Sequence, residues 1–273
     1  MFGTSDEQII DIFAIIHIAL CLIIIPLNIL VLYAIRYHSG QAAVEYRNYL
    51  TLLVFVSFVS DIFMGVFFDP VINFEAPCIV SNGILTKLFN MHTLPQFDIA
   101  TVVLPLNIPA VFVCFLYRHQ AVQPPNSPYR FSNRYVKLYA CVQLGMIATT
   151  PILVTFARAS DEESLQLIAP EVPPDQLERF RGNVLCAMLN SASGIAITMI
   201  AFVNASLFFA ATTFLIWHTF HVLSTNYRLS ARTVVYHTNM TRMLIIQVSV
   251  PMLSIGLPVT CIVVKVMMGW TNL

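Results

Sequence analysis

Six stretches of about 20 residues, each almost free of charge, constrain this chain more than anything else in it. They fall at 9–33, 49–68, 94–117, 138–156, 195–217 and 243–266, and mild polar interruptions allow the third an alternative start near Ile84. Hydrocarbon offers no partner to a backbone N–H or C=O, so segments of this length and composition must cross as helices. The rest of the composition agrees. The chain is 58% hydrophobic and 10% charged, whereas a soluble domain carries about 25% charged residues. The first run follows Asp6 and Glu7 rather than a basic segment, and it is too long for a cleavable signal peptide. The expected fold is all-α: one polytopic membrane helix bundle over residues 1–273, embedded in a lipid bilayer.

Formal net charge is zero, so the total says nothing about nucleic acid, and no nucleic-acid partner is expected; the placement of the cations is more informative. Arg36 and Arg47 lie between runs one and two, Arg118, Arg130, Arg134 and Lys137 between three and four, and Arg228, Arg232 and Arg242 between five and six. The only acid in those connections is Glu45. The opposite side carries Asp161, Glu162, Glu163, Glu171, Asp175 and Glu178 after run four. Short basic connections stay in the cytosol. The amino terminus is therefore expected outside, with 118–137 and 219–241 cytosolic and 157–183 exoplasmic. Pro124, Pro125 and Pro128 exclude a continuous helix from the first cytosolic connection. Pro170, Pro173 and Pro174 make 157–183 read as an irregular lid. The ends of 219–241 are expected to extend helices five and six beyond the bilayer.

Cys78 and Cys186 both fall near the oxidising exoplasmic surface, where a disulfide is allowed. Two unpaired thiols, or competition from Cys261, are the other readings. The sequons at Asn239 and Asn204 fall on the cytosolic side and inside run five, so both are expected to be unmodified.

Polar groups inside apolar runs are functional candidates by default. Asp61 is mid-run, with Asn28 as a candidate partner; it is either a satisfied interhelical contact or a responsive element. Asp98 lies near the outer end of run three if Arg118 marks the inner end, 20 residues on. Pro105, Pro109, Pro251 and Pro258 interrupt backbone bonds and supply hinges. Gln247 sits four residues before Pro251. His218 and His221 have i, i+3 spacing, but nothing else in the sequence supports a metal site. No nucleotide-binding, zinc-protease or nucleophile-elbow motif is present, and neither enzyme activity nor a cofactor is expected.

Several stretches carry a family resemblance: PLNILVLYAI, EYRNYLTLL, FFDPVINFEAPC, FLYRHQ and RMLIIQVSVPMLSIGLP, in that order. Together they resemble nematode serpentine chemosensory receptors of the Srh and Sri classes, with YRHQ leaning toward Sri. The resemblance spans about residue 10 to 266. It implies a rhodopsin-like seven-helix, G-protein-coupled receptor for environmental chemicals, in the sensory-cilium membrane of neurons. It places Tyr117, Arg118 and His119 at the switch position facing a heterotrimeric G protein. The chain shows six runs where the family has seven, so a truncated, non-signalling remnant is an alternative, as is a transporter or channel. The leading expectation is a small-molecule ligand in the outer half, among helices three, five and six. Gln96, Asp98, Asn190, Ser193 and Thr198 would line its site, and helix six would pivot near Gln247 and Pro251.

Overall fold

A computed structural model describes residues 4–37, 44–73, 78–124, 127–169, 183–186, 192–225 and 230–251. The helices are α1 (Thr4–Tyr37), α2 (Val44–Ile62), α3 (Ile84–Phe89), α4 (Thr93–Val103), α5 (Asn107–Val122), α6 (Asn133–Ala157), α7 (Asp161–Ile168), α8 (Ala192–Thr225) and α9 (Ala231–Pro251). A π-helical stretch, Phe63–Phe68, prolongs α2. Three short strands, β1 (Pro70–Asn73), β2 (Cys78–Ser81) and β3 (Val184–Cys186), form one antiparallel sheet in the order β1-β2-β3.

Five of the described helical segments are long and apolar enough to cross a bilayer: Ile18–Tyr37, Tyr46–Phe68, Thr93–Val122, Arg134–Ala157 and Ala192–Thr225. They carry large apolar side chains on their exposed faces, among them Leu22, Phe156 and Phe202, each more than 60% exposed. Such surface belongs against lipid rather than water. The expected sixth crossing, 243–266, lies mostly outside the described residues. The alternative start of the third crossing at Ile84 is not adopted. Ile84–Phe89 is a separate short helix that stops at Asn90, whose backbone is left-handed (φ 50°); Asn tolerates that conformation because its short amide can bond locally. Within the third crossing, a turn at 104–106 interrupts the helix around Pro105, while Pro109 falls in the first turn of α5, where a missing N–H costs nothing.

The described chain packs as two compact units. The first comprises Met1–Gly40, Val54–Leu106 and Met146–Met199; the second comprises Gln41–Leu53, Asn107–Gly145 and Ile200–Leu273.

In the first unit, the sheet is the addition to an otherwise helical fold. The π turn ends at Asp69, left-handed at φ 41°, and Pro70 then starts β1 because it cannot extend a helix. The carbonyls exposed at that end are taken by the segment after β2. Asn82 N donates to Asp69 O at 3.1 Å and Gly83 N to Phe68 O at 3.0 Å. A Cβ on Gly83 would run into the Phe67 carbonyl, so this close approach requires glycine. β2 and β3 pair with Cys78 opposite Cys186, and a disulfide joins them. Around it, Ala159, Leu165, Ile168 and Val184 form a buried cluster.

The stretch 157–183, expected to be irregular, contains α7. Its signal was in the sequence. Ser160 caps the helix by accepting from Glu163 N at 3.3 Å, and the Glu163 carboxylate accepts from Ser160 N at 2.9 Å. Asp161, Glu162 and Glu163 occupy the first turn, where a negative charge meets the positive end of the helix dipole. Leu165 and Ile168, one turn apart, point into the cluster beside the disulfide.

The second unit is cored by Leu53, Ala110, Val111, Cys114, Phe115, Leu116, Phe208, Leu215 and Leu244. Their order along the chain shows that the amino-terminal part of α2, α5, the later part of α8, and α9 share one apolar centre. α8 runs to Thr225 and α9 starts at Ala231, so both helices continue well past the apolar runs, as expected.

Two outcomes follow. Gly83→Ala should destabilise the protein by about 1–3 kcal/mol, since backbone must move to admit the methyl group; thermal unfolding in micelles checks this. The Ser160 backbone N–H and hydroxyl hold the Glu163 carboxyl below its ordinary range. Its contribution is therefore present above the ordinary carboxyl pKa and is lost as pH falls through the lowered value. Amide protection factors across 160–164, taken relative to the intrinsic exchange rate at each pH, should fall on acidification, and should stay constant over that range in Glu163→Gln.

Candidate functional site

The end of α5 gathers the most unusual side chains of the second unit. Arg118 was expected at the inner end of the third run, as a topology anchor and, from the resemblance, at a switch position. It lies inside α5, which runs five residues beyond the expected end of the crossing, and it is only 4% exposed. Its guanidinium lies over the Tyr46 ring, 3.6 Å from the centroid, with the Tyr236 ring at 5.9 Å. A desolvated contact of this kind is worth about 2 kcal/mol. Among the described residues no carboxylate pairs with it, and Nε and Nη2 have no hydrogen-bond partner. Tyr117 stacks beside it on Tyr46 (5.5 Å) and meets the Tyr49 ring at a tilt (5.7 Å). Burial, and secondarily the Arg118 charge, push the His237 imidazole below its ordinary range, so this pocket does not gain a second cation near neutrality. Arg130, Arg134 and Lys137, the other cations of that stretch, are exposed.

The next residue, His119, is fully buried and meets α8. His119 Nε2 is 2.9 Å from His218 Nδ1, and Gln123 Nε2 is 3.1 Å from the first nitrogen and 2.9 Å from the second. His218 was considered with His221 on sequence spacing. The structure pairs it with His119 instead, 99 residues away, while His221 stacks on Trp217. No local spacing could have shown this, because the two imidazoles belong to different helices. Gln247 and Pro251 fall in α9, but their side-chain surroundings lie outside the described residues, as does Pro258.

The expected ligand-lining residues belong to the first unit, and the structure treats them differently from one another. Gln96 is fully buried in a closed hydrogen-bonded ring. Ser81 Oγ donates to Gln96 Oε1, Gln96 Nε2 to Thr86 Oγ1, and Thr86 Oγ1 to Ser81 Oγ, each at 2.7 Å. Its second amide hydrogen goes to Met91 O, 2.7 Å away. Gln96 thus ties β2, α3 and α4 together rather than facing a cavity. Thr198 bonds back to Gly194 O at 2.9 Å, and Ser193 Oγ donates to Phe156 O at 2.9 Å. Asn190 lies outside the described residues. Asp98 alone keeps a free group: its Oδ1 is buried and unpartnered, and Arg158 acts on it electrostatically.

Asn28 and Asp61 are not hydrogen-bonded to each other. Asn28 Nδ2 donates to Ile24 O of its own helix at 3.1 Å, and Asp61 is exposed. A different polar pair joins helices in the second unit: Gln143 Nε2 donates to Asn204 Oδ1 at 3.1 Å. The sequence placed both residues in apolar runs, where polar side chains bond across helices, yet only the sequon at Asn204 drew notice. The second unit also holds a cavity of about 230 Å³ lined by Phe112, Leu116, Tyr139, Ala211 and Phe214. Its lining contains none of the expected ligand residues.

Apolar helices of crossing length with polar groups turned inward define a multi-pass membrane helix bundle. Residues 9–273 match the family described as serpentine type 7TM GPCR chemoreceptor Sri. The chain belongs to that family, and is a chemosensory receptor of the seven-helix class. No curated protein and no solved structure matches it.

Gln96→Leu should lower thermal stability by about 1–3 kcal/mol, because Ser81 and Thr86 lose their buried partner. Unfolding of the purified chain without any ligand checks this. A role only in ligand contact would leave that unfolding unchanged.

Proposed function

We propose that this receptor binds a small environmental chemical and signals to a heterotrimeric G protein through the Arg118 end of α5. The observation that carries the reading is the state of Arg118: a buried cation with two unsatisfied donors and, among the described residues, no acid paired with it. An unsatisfied buried polar group costs about 1–3 kcal/mol, more for a charge. A partner offering backbone carbonyls or a carboxylate at that end would relieve it. Tyr117 positions the guanidinium by packing with it on Tyr46, and His119 fixes α5 against α8. The distribution of Lys and Arg supports an extracellular amino terminus, with 118–137 and 219–241 in the cytosol and the Cys78–Cys186 bridge in the oxidising compartment. Plasma-membrane residence, in a sensory cilium, follows from that role.

On the ligand side, the unpartnered Asp98 oxygen supports a site in the outer half for a molecule carrying a hydrogen-bond donor or a cation. Ser193, Thr198 and Asn190 would stand near its path. Gln96 would act indirectly, by holding α4. Ligand shifts the receptor between two arrangements only through differential affinity, and α9 near Gln247 and Pro251 is the element proposed to move.

The test is nucleotide exchange on co-reconstituted G protein. Arg118→Ala should reduce receptor-stimulated exchange by about tenfold or more, equivalent to about 1.4 kcal/mol, with surface expression unchanged. Equal exchange by the variant and the unmodified receptor would remove Arg118 from the coupling machinery. Protease or tag mapping that placed Tyr129 outside intact cells would overturn the topology.

A further inference from the structure

The His119–His218–Gln123 cluster has a feature that packing does not explain. Its three nearest atoms form an almost equilateral triangle with edges of 2.9, 2.9 and 3.1 Å. All three side chains are more than nine-tenths buried. Each edge is at hydrogen-bond distance, yet the three cannot all be hydrogen bonds at once. A ring nitrogen is either a donor or an acceptor, never both.

If the amide nitrogen donates to both rings, both ring nitrogens are acceptors, and their lone pairs face each other at 2.9 Å. If His119 Nε2 donates to His218 Nδ1, the amide nitrogen faces an N–H. Turning the amide over places its oxygen against the His218 lone pair instead. If both rings donate to that oxygen, two N–H groups oppose each other. Protonating a ring does not help, because it only fixes that nitrogen as a donor. The His119 Nδ1 atom is buried without a partner in any of these states.

One arrangement satisfies all three edges: two ring lone pairs and the amide oxygen directed at a cation in the centre. We propose that His119, His218 and Gln123 form a site for a divalent transition metal of the zinc or copper type, which staples α5 to α8. Imidazole nitrogen suits these ions. Metal–nitrogen bonds of about 2.0–2.1 Å require the triangle to open by a few tenths of an ångström. Water completes the coordination. Among the described residues no group of three or more His, Cys, Asp or Glu is gathered for a metal, so the third protein donor here is the amide. The charged and titratable neighbours are Arg118, one residue away but turned onto Tyr46, His221 and Tyr129, whose ring is 4.5 Å from His218. Phe131 and Phe214 supply an apolar wall.

The experiment uses the full chain, purified without a polyhistidine tag, in lipid nanodiscs. Titration with Zn²⁺ should show one saturable site. His119→Ala and His218→Ala should each weaken it by more than the ~10-fold typical of losing an outer-shell partner. Exposed His221→Ala should leave it unchanged. The unmodified chain loaded with one Cu²⁺ should show superhyperfine coupling to two nitrogens, a readout that needs no variant to fold. Absence of a stoichiometric site would overturn the proposal. So would unchanged affinity in both alanine variants, loss in His221→Ala, or a copper signal with a single nitrogen.

Discussion

The structure depends on one constraint: a polar atom inside an apolar bundle must find its partner within the protein. Most hydroxyls in the long helices meet it in the cheapest way, by bonding back to a carbonyl one turn earlier. Thr51 does so to Arg47 O, Ser60 to Val56 O, Thr150 to Met146 O, Thr155 to Pro151 O, Thr219 to Leu215 O and Thr241 to His237 O. Such a residue carries no information about function, since its own helix has already answered its need. Against that background the exceptions stand out. Among the described residues, Nε and Nη2 of Arg118, Nε of Arg47, Asp98 Oδ1, Gln143 Oε1, the Nδ1 atoms of His119 and His237, and the hydroxyls of Tyr139 and Thr212 are buried and unanswered. A helix interior offers a carbonyl to a hydroxyl, but it has no free N–H for a carboxylate, and little for a planar guanidinium whose donors point sideways.

This constraint also explains what could be read from the sequence. Apolar runs follow from bilayer thickness, so five of the expected crossings correspond to described helices, and their ends differ mainly where a helix continues past the lipid. Family membership was legible in the order of short motifs. The capping box at Ser160 and Glu163 was equally legible, but three nearby prolines drew the reading toward an irregular lid. The three-stranded sheet was not legible. Its strands are three or four residues long, too short for an alternation to register, and two of them meet across 108 residues through Cys78 and Cys186.

The candidate residues divide along the same line. Arg118 drew attention because a cation beside an apolar run is rare, although its burial under Tyr46 depended on α2 and could not be foreseen. Gln96 drew attention for the opposite reason to the one that places it. Read singly, a glutamine near the end of a crossing looks available to a ligand; in the fold, two hydroxyls from other elements consume it. His218 was noticed for its spacing to His221, whereas its contacts come from α5. Polarity marks a residue as unusual, but only tertiary structure says whether its hydrogen bonds are spent.

Two triangles of polar atoms make the distinction sharp. In the Ser81–Gln96–Thr86 ring, two corners are hydroxyls, which donate and accept at the same time, and the glutamine contributes both ends of its amide. Donation therefore runs one way around the ring, every edge is a hydrogen bond, and each bond polarises the next. In the His119–His218–Gln123 triangle, two corners are ring nitrogens with a single role each, and the glutamine meets both through one end. No assignment of protons closes it. The first triangle is suited to holding β2, α3 and α4 in a fixed relation. The second, together with the unsatisfied donors of Arg118 one residue away, leaves the end of α5 with unspent bonding capacity. A buried group in that state destabilises the isolated chain and rewards whatever answers it. Among the described residues, the end of α5 is therefore where unanswered polar atoms gather, and where the proposed ion and partner would act.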